Sequence, residues 1–429
     1  MRKNIQSIRG VKDYFPNELK YLHNIESILK QVLHNYGYHE IRLPILEKTE
    51  LFQRSVGNLT DIINKEMYSF QDKRGNNITL RPEATVGCVR AGIQNNLFNS
   101  NQIHRFWYLG PMFRYERPQY GRYRQFYQLG VEVFGLSDIY IELELIMMLN
   151  RCWKLMGVDK HLSLEINSIG SDKSRKNFCN KLIDFLKKYE NLLDTDNKKK
   201  IYKNPLRILD TKNPDVLELL KKAPKILDYL DFKSKDRFKK LCNLMNLNNI
   251  TYKVNNNLVR GLDYYNDIVF EWKTMNLGSQ DTICAGGRYD SLSYNLGGND
   301  IPAIGLAIGI DRLSILYKLI YKLKYNSCKN NIYDLCIISL EEELLIKIIQ
   351  LSEYIRNIFP KISILTILNK GKIGDKLSYA NKIGVKIAII LGKKEFINNT
   401  YIIKNLQKNV QKTVEKKLIE KELNKFFYC

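Results

Sequence analysis

Between residues 18 and 36 the apolar side chains fall at Leu22, Ile25, Ile28, Leu29, Val32, Leu33 and Tyr36. That is the spacing of one helical face, and it stops at Gly37. His39 to Leu46 reads as a strand, and Pro44, which has no amide proton to give a ladder, assigns it an edge or interface position. Two aromatic-rich runs, FWYLGPMFRYE and RQFYQLGVEVFG, flank the polar RPQYGRY between 106 and 135 and predict an antiparallel strand pair with a long loop. Further strands are expected at 258–272, 281–287 and 301–309, the last meeting a helix at Asp311 and Arg312. This body is α+β, with a mixed, mainly antiparallel sheet.

From about 171 to 250 the texture changes to lysine-rich, leucine-spaced segments interrupted at Pro205, Pro214 and Pro224, which predicts a helical insertion. After the polar stretch 324–331, DLCIISL, a helix near 341–357, KISILTIL, a helix near 374–383 and KIAIILG give βαβαβ, a separate small α/β domain. The expected division is 1–325, including the insertion, and 326–429. Neither a P-loop nor GxGxxG is present in the sequence, which sets aside the common nucleotide folds.

Composition narrows the function classes. No apolar run approaches the ~18 residues of a membrane span, and the basic N-terminus MRKNIQSIRGVKDY has no apolar stretch behind it, so a soluble, cytoplasmic protein is expected. The eight cysteines are scattered without a CxxC pair and the five histidines show no ligand spacing, so neither disulfides nor a protein-held metal are expected. A net charge of +23 draws the chain to polyanions, nucleic acid first, although a coding bias toward lysine and asparagine produces the same number. The C-terminal domain shares in it, with 18 Lys and Arg against 10 Asp and Glu over 326–429.

Candidate chemistry sits on the strand pair and after it. FRYERPQYGRYRQF holds Arg114, Glu116, Arg117, Arg122, Arg124 and Phe126. Guanidiniums on such a loop can converge on phosphates, whose oxygens they bond bidentately, while Phe126 can stack on a purine and Glu116 accept from its amine. A solvated hairpin has the same composition. In LVRGLDYYNDIVFEW, Arg260 stands in an apolar run and needs an anionic partner if buried. Tyr264 and Tyr265, as strand neighbours, would face opposite sides, leaving only one to line a pocket. LRPEAT supplies Arg81 and Glu83, and QLGVEVFG sets Gln128 and Glu132 on one strand face. Arg312 in the first turn of its helix adds a cation where the helix end already favours an anion.

In order and wording these segments resemble the bacterial histidyl-tRNA synthetases, a branch of the class II aminoacyl-tRNA synthetases. The likeness runs through IRGVKDYFP, EIRLPILE, TLRPEAT, GPMFRYERPQYGRYRQF, LEINSIGS, NPLRILD, LVRGLDYYNDIVFEW, CAGGRYD and AIGLAIGIDRL. FRYERP with RQF is similar to class II motif 2, IRLPILE to the dimer-forming motif 1 and GIDRL to motif 3.

The resemblance implies a histidine-tRNA ligase that forms histidyl-adenylate from L-histidine and Mg²⁺-bound ATP and transfers the histidyl group to tRNA(His). It also implies a homodimer with a C-terminal anticodon-binding domain. By residue, it implies that Arg114 holds the α-phosphate and the amino-acid carboxylate and that Glu116 and Phe126 seat adenine. Arg122 and Arg312 would grip the outer phosphates, and Arg260 would stand at the reacting phosphate. Glu83, Thr85 and Gln128 would surround the ammonium, and Glu132 and Tyr264 would read the imidazole with Tyr265 nearby. Three positions depart from the family's wording: Ala84 for glycine, Tyr127 for histidine and Asp311 for glutamate. A non-catalytic regulatory paralogue is the alternative; such proteins tend to lose the active-site arginines and the anticodon domain, which this sequence keeps.

Overall fold

A computed structural model of the chain describes residues 4–56, 60, 62–99, 102–211, 213–278, 280–324 and 333–427. It divides into two units, 1–324 and 325–429. The first is built on an eight-stranded sheet in the order His39–Glu40, His104–Phe113, Gln125–Phe134, Ala303–Gly309, Thr282–Arg288, Asn266–Lys273, Ser163–Ser168, Lys253–Val254. All pairs are antiparallel except the outermost at each end.

Strand alternation assigns the two faces. On Gln125–Phe134, Leu129, Val131 and Val133 enter a core with the helices Pro16–Asn35, Tyr140–Met156 and Ile310–Lys324. There Trp153 meets Trp272 edge-on at 6.1 Å. Phe126 and Phe134 turn the other way, toward the helix Thr85–Gln94 and the insertion, whose Phe178, Leu182, Ile201 and Ile208 share that second core. Two glycines allow close approach on this face. A Cβ at Gly130 would overlap the Tyr108 ring, and one at Gly305 would overlap the Glu132 carboxylate.

The helix expected at 18–36 is Pro16–Asn35, with proline in its first turn, and the strand pair is His104–Phe113 with Gln125–Phe134 in continuous register. The strand expected over 39–46 breaks in two. Only His39–Glu40 joins the large sheet, while Leu46–Lys48 joins a three-stranded sheet with Asn77–Leu80 and Tyr68–Gln71. Between them the carbonyls of Leu43 and Pro44 accept from the buried guanidinium of Arg81, at 2.9 and 3.3 Å. The strand expected over 258–272 is confined to Asn266–Lys273, because residues before it are drawn away by side-chain contacts described below. The insertion is helical over Asp172–Lys188, Thr195–Lys203, Pro214–Leu220 and Phe232–Leu247.

In the second unit Ile364–Ile367, Leu335–Ser339 and Ile387–Leu391 are parallel, and Thr400–Asn405 and Val410–Glu415 extend the sheet antiparallel. Leu345–Ile358 and Ile419–Phe427 cover one face and Ile373–Lys382 the other. The first strand therefore buries both sides, Leu335 and Ile337 into one core and Cys336 and Ile338 into the other, and reads as a continuous apolar run.

Candidate active site

A cavity of about 640 Å³ opens on the second face of the large sheet. Glu83, Thr85, Arg114, Glu116, Arg122, Phe126, Gln128, Arg260, Tyr264, Tyr265 and Arg312 all line it. Of the residues given a role by the family resemblance, Glu132 alone does not reach the lining; Arg81, Arg117 and Arg124, candidates by residue type, also lie outside it.

One side of the cavity is cationic. The Arg114 Nε donates to the Pro82 carbonyl at 2.9 Å, and its guanidinium lies 5.2 Å from the Phe126 ring centre. Arg122 pairs with Glu116 and lies 3.6 Å from Glu66. Arg312 is fixed by three acceptors, the carbonyls of Gly121 and Thr282 at 2.9 and 3.0 Å and the Gln280 amide oxygen at 2.9 Å. Burial lowers its pKa; Glu116 opposes that shift, and the Arg114 and Arg122 charges add to it. An anion here therefore relieves a repulsion.

Arg260 is partly buried, its side chain 17% exposed, and pairs with Glu271, with its guanidinium 5.5 Å from the Tyr265 ring centre. Burial disfavours its charge, but Glu271 together with the Tyr265 and Tyr264 hydroxyls outweighs burial and raises the pKa. Glu271 is held in turn by Lys273 at 3.4 Å and Thr282 at 3.2 Å. Tyr264 and Tyr265 lie in a loop, not a strand, so the expected alternation does not apply: their rings sit 4.7 Å apart and both line the cavity.

The same cavity also holds a buried acidic pocket. Glu83 accepts from the amides of Thr85 and Val86 at 2.8 and 3.0 Å, at the start of the helix Thr85–Gln94, and from the Tyr264 hydroxyl at 3.5 Å. Burial raises its pKa against the pull of those amides. Glu132, 0% exposed, takes the hydroxyls of Thr85 and Tyr108 at 2.8 and 2.9 Å and that of Tyr289.

Burial pushes Glu132 up to about 8 from its ordinary 4.5, although the three hydroxyls oppose the shift. Between these values the folded chain keeps a proton that the unfolded chain has lost. The contribution of this group is therefore fully present below pH 4.5 and is lost as pH rises through 8. Glu132→Gln is expected to flatten the fall of melting temperature between about pH 5 and about pH 8. Equal slopes for the two proteins would count against a neutral Glu132.

Sequence reasoning missed Tyr108, Tyr289, Glu271 and Gln280. Tyr289 lies in CAGGRYD, a segment of family wording with no residue role attached, and Tyr108 is one more aromatic in an aromatic strand. Neighbouring Arg288 is 1% exposed and turned from the cavity, bonded to Glu142, Asp290 and the Leu136 carbonyl. Arg124 also turns away, stacking on Tyr115 at 3.9 Å. Two of the departures meet: Asp311 accepts the Tyr127 amide at 2.6 Å and the Tyr14 hydroxyl, while the Tyr14 and Tyr127 rings meet edge-on at 6.2 Å. Ala84 is buried beside Glu83 at the cavity wall. Among the described residues no group of three His, Cys, Asp or Glu is placed to hold a metal.

Against known proteins, residues 10–313 match the family model for histidyl-tRNA synthetase and residues 334–426 that for an anticodon binding domain. The chain is 52% identical, over all of its length and 99% of the relative, to a histidine–tRNA ligase of Buchnera aphidicola subsp. Schizaphis graminum. The crystal structure of apo S. aureus histidyl-tRNA synthetase superposes with a TM-score of 0.79 at 31% identity, covering 98% of this chain and 99% of that one. An ATP phosphoribosyltransferase regulatory subunit/histidyl-tRNA synthetase from Bacillus halodurans C shares the fold, with a TM-score of 0.66 at 19% identity over 91% of this chain and 99% of the other.

Proposed function

The chain belongs to the histidyl-tRNA synthetase family, and from that premise we propose that its cavity joins L-histidine to ATP and passes the histidyl group to tRNA(His). It is a histidine-tRNA ligase, an aminoacyl-tRNA synthetase with a C-terminal anticodon-binding domain. One observation carries the site assignment: Arg114, Arg260 and Arg312, far apart in sequence, line one cavity beside a buried acidic slot.

ATP enters with Mg²⁺ as substrate. Phe126 and Glu116 seat the adenine, Arg122 and Arg312 hold the outer phosphates, and Arg114 bridges the α-phosphate and the histidine carboxylate. A carboxylate oxygen of histidine attacks the α-phosphorus, the bond to the β-phosphate bridging oxygen breaks, and pyrophosphate leaves. Negative charge gathers on the α-phosphoryl oxygens, where Arg260 stabilises it, so no protein nucleophile is required. The terminal ribose hydroxyl of the RNA then attacks the acyl carbon and loses its proton as AMP departs.

Glu83, Thr85 and Gln128 surround the ammonium. Tyr264 meets the imidazole from the wall with Tyr265 beside it, and Glu132 acts on the ring from behind by orienting the hydroxyls of Thr85 and Tyr108. Phenylalanine would strand such partners at roughly 1–3 kcal/mol for each group.

The regulatory alternative is not favoured, since the arginines and the anticodon-domain match are both present. We also propose that the enzyme is cytoplasmic and homodimeric, the second supported by the exposed Ile45, Leu46 and Phe70 beside and within the three-stranded sheet. Charging tests the whole scheme. Labelled histidine is expected to become attached to the 3′ end of tRNA(His) with one AMP released per histidine; adenylate formation without charging would contradict it.

A further inference from the structure

We infer that Arg207 and Arg175, both in the helical insertion, are positioning residues for adenylate formation, acting through the loop that carries Arg260. This rests on the role proposed for Arg260. Residues 259–265 lie in neither helix nor strand apart from a turn, yet they deliver Arg260, Tyr264 and Tyr265 to the cavity. The insertion grips this loop at both ends. Arg207 donates to the Gly261 carbonyl at 2.5 Å and to Asp263 at 3.3 Å, where Asn204 also donates at 3.3 Å. Arg175 donates to the Tyr265 carbonyl at 2.8 Å.

The grip has a fixed base. Arg207 sits in the short turn Pro205–Ile208, and Ile208 is fully buried in the second core. The strands through which the chain enters and leaves the insertion are parallel neighbours, with Glu165 opposite Lys253, so the insertion is rooted at one edge of the catalytic sheet.

Two features separate positioning from simple stabilisation. Each guanidinium donates to a main-chain carbonyl of the loop, so together they set the path of its backbone in addition to the Arg207–Asp263 side-chain pair. The Arg207–Asp263 ion pair is partly exposed, at 19% and 37%, and pairs of that kind add little to stability. Displacing a reacting group by ~1 Å can cost on the order of 10²-fold in rate, and Gly261 adjoins Arg260.

The test is single-turnover adenylate formation by the full-length enzyme with histidine and ATP. Arg207→Ala is expected to slow it roughly 10- to 100-fold, with the ATP KM and the melting temperature little changed. Adding Arg207→Ala to Arg260→Ala is expected to cause no further loss, because the two act as one unit. Arg207→Lys, which keeps the charge but cannot span both acceptors, is expected to lie between wild type and Arg207→Ala, and it carries the same readout should Arg207→Ala not fold. A rate within twofold of wild type for Arg207→Ala, a wild-type rate for Arg207→Lys, or a full additional loss on the Arg260→Ala background overturns the inference. An active Arg260→Ala enzyme would instead defeat the role of Arg260 itself, which keeps the two failures apart.

Discussion

Replacing Arg260 with alanine is expected to lower histidine-dependent ATP–pyrophosphate exchange by about 10³-fold or more while leaving the fold intact. The size follows from where the guanidinium sits. It is partly buried, paired with Glu271, and faces a cavity in which the α-phosphoryl group gains charge during attack. A preorganised cation in a water-poor site needs no reorganisation as that charge develops, so its removal acts on the transition state and appears in kcat. The fold should survive because Glu271 keeps Lys273 and Thr282 as partners when Arg260 is lost. Arg260→Lys should fall between the two, retaining the charge without the planar fork. Full exchange activity in Arg260→Ala would remove this residue from the chemistry.

Glu142→Leu is expected to do the reverse, damaging stability and sparing chemistry. Glu142 is 0% exposed; Arg237 donates to it from the insertion at 2.5 and 3.1 Å, and Arg288 from the sheet at 3.1 Å. Leucine fits the space but leaves two neighbouring guanidiniums without the carboxylate between them. Removing one partner from a buried ionic cluster costs about 3–5 kcal/mol. For a unit of this size that corresponds to a melting temperature lower by roughly 10 °C. Asp290 and Asp267 still answer Arg288 and Arg237, so the unit should fold below its transition. Since Glu142 does not line the cavity, exchange at moderate temperature should stay within a few fold of wild type. An unchanged melting temperature would contradict the structural role of this cluster.

Legibility in the sequence followed burial. Pro16–Asn35 buries one stripe and shows it, and the strand pair 104–134 buries alternate positions, so both were readable. The three-stranded sheet was not, because Leu46–Lys48 and Tyr68–Gln71 are exposed at nearly every position and carry no alternation. The same is true of Val410–Glu415 in the second unit, where only Val414 is buried. Within the site, the residues named from family wording, Glu132 excepted, line one cavity, but their partners carry no sequence signal. Glu271 binds Arg260 across eleven positions, and Tyr289 reaches Glu132 across 157. The apolar texture of residues 259–265 fits a strand, yet they form a loop. What diverts them is a set of contacts from an insertion whose own sequence advertises only helices.

The central claim is that convergent guanidiniums and an imidazole slot share one cavity, and amino-acid-dependent ATP–pyrophosphate exchange tests it most directly, with each of the standard amino acids supplied singly. Histidine alone is expected to stimulate exchange, with phenylalanine and tyrosine at background. Stimulation by a different amino acid, or by none, would contradict the account.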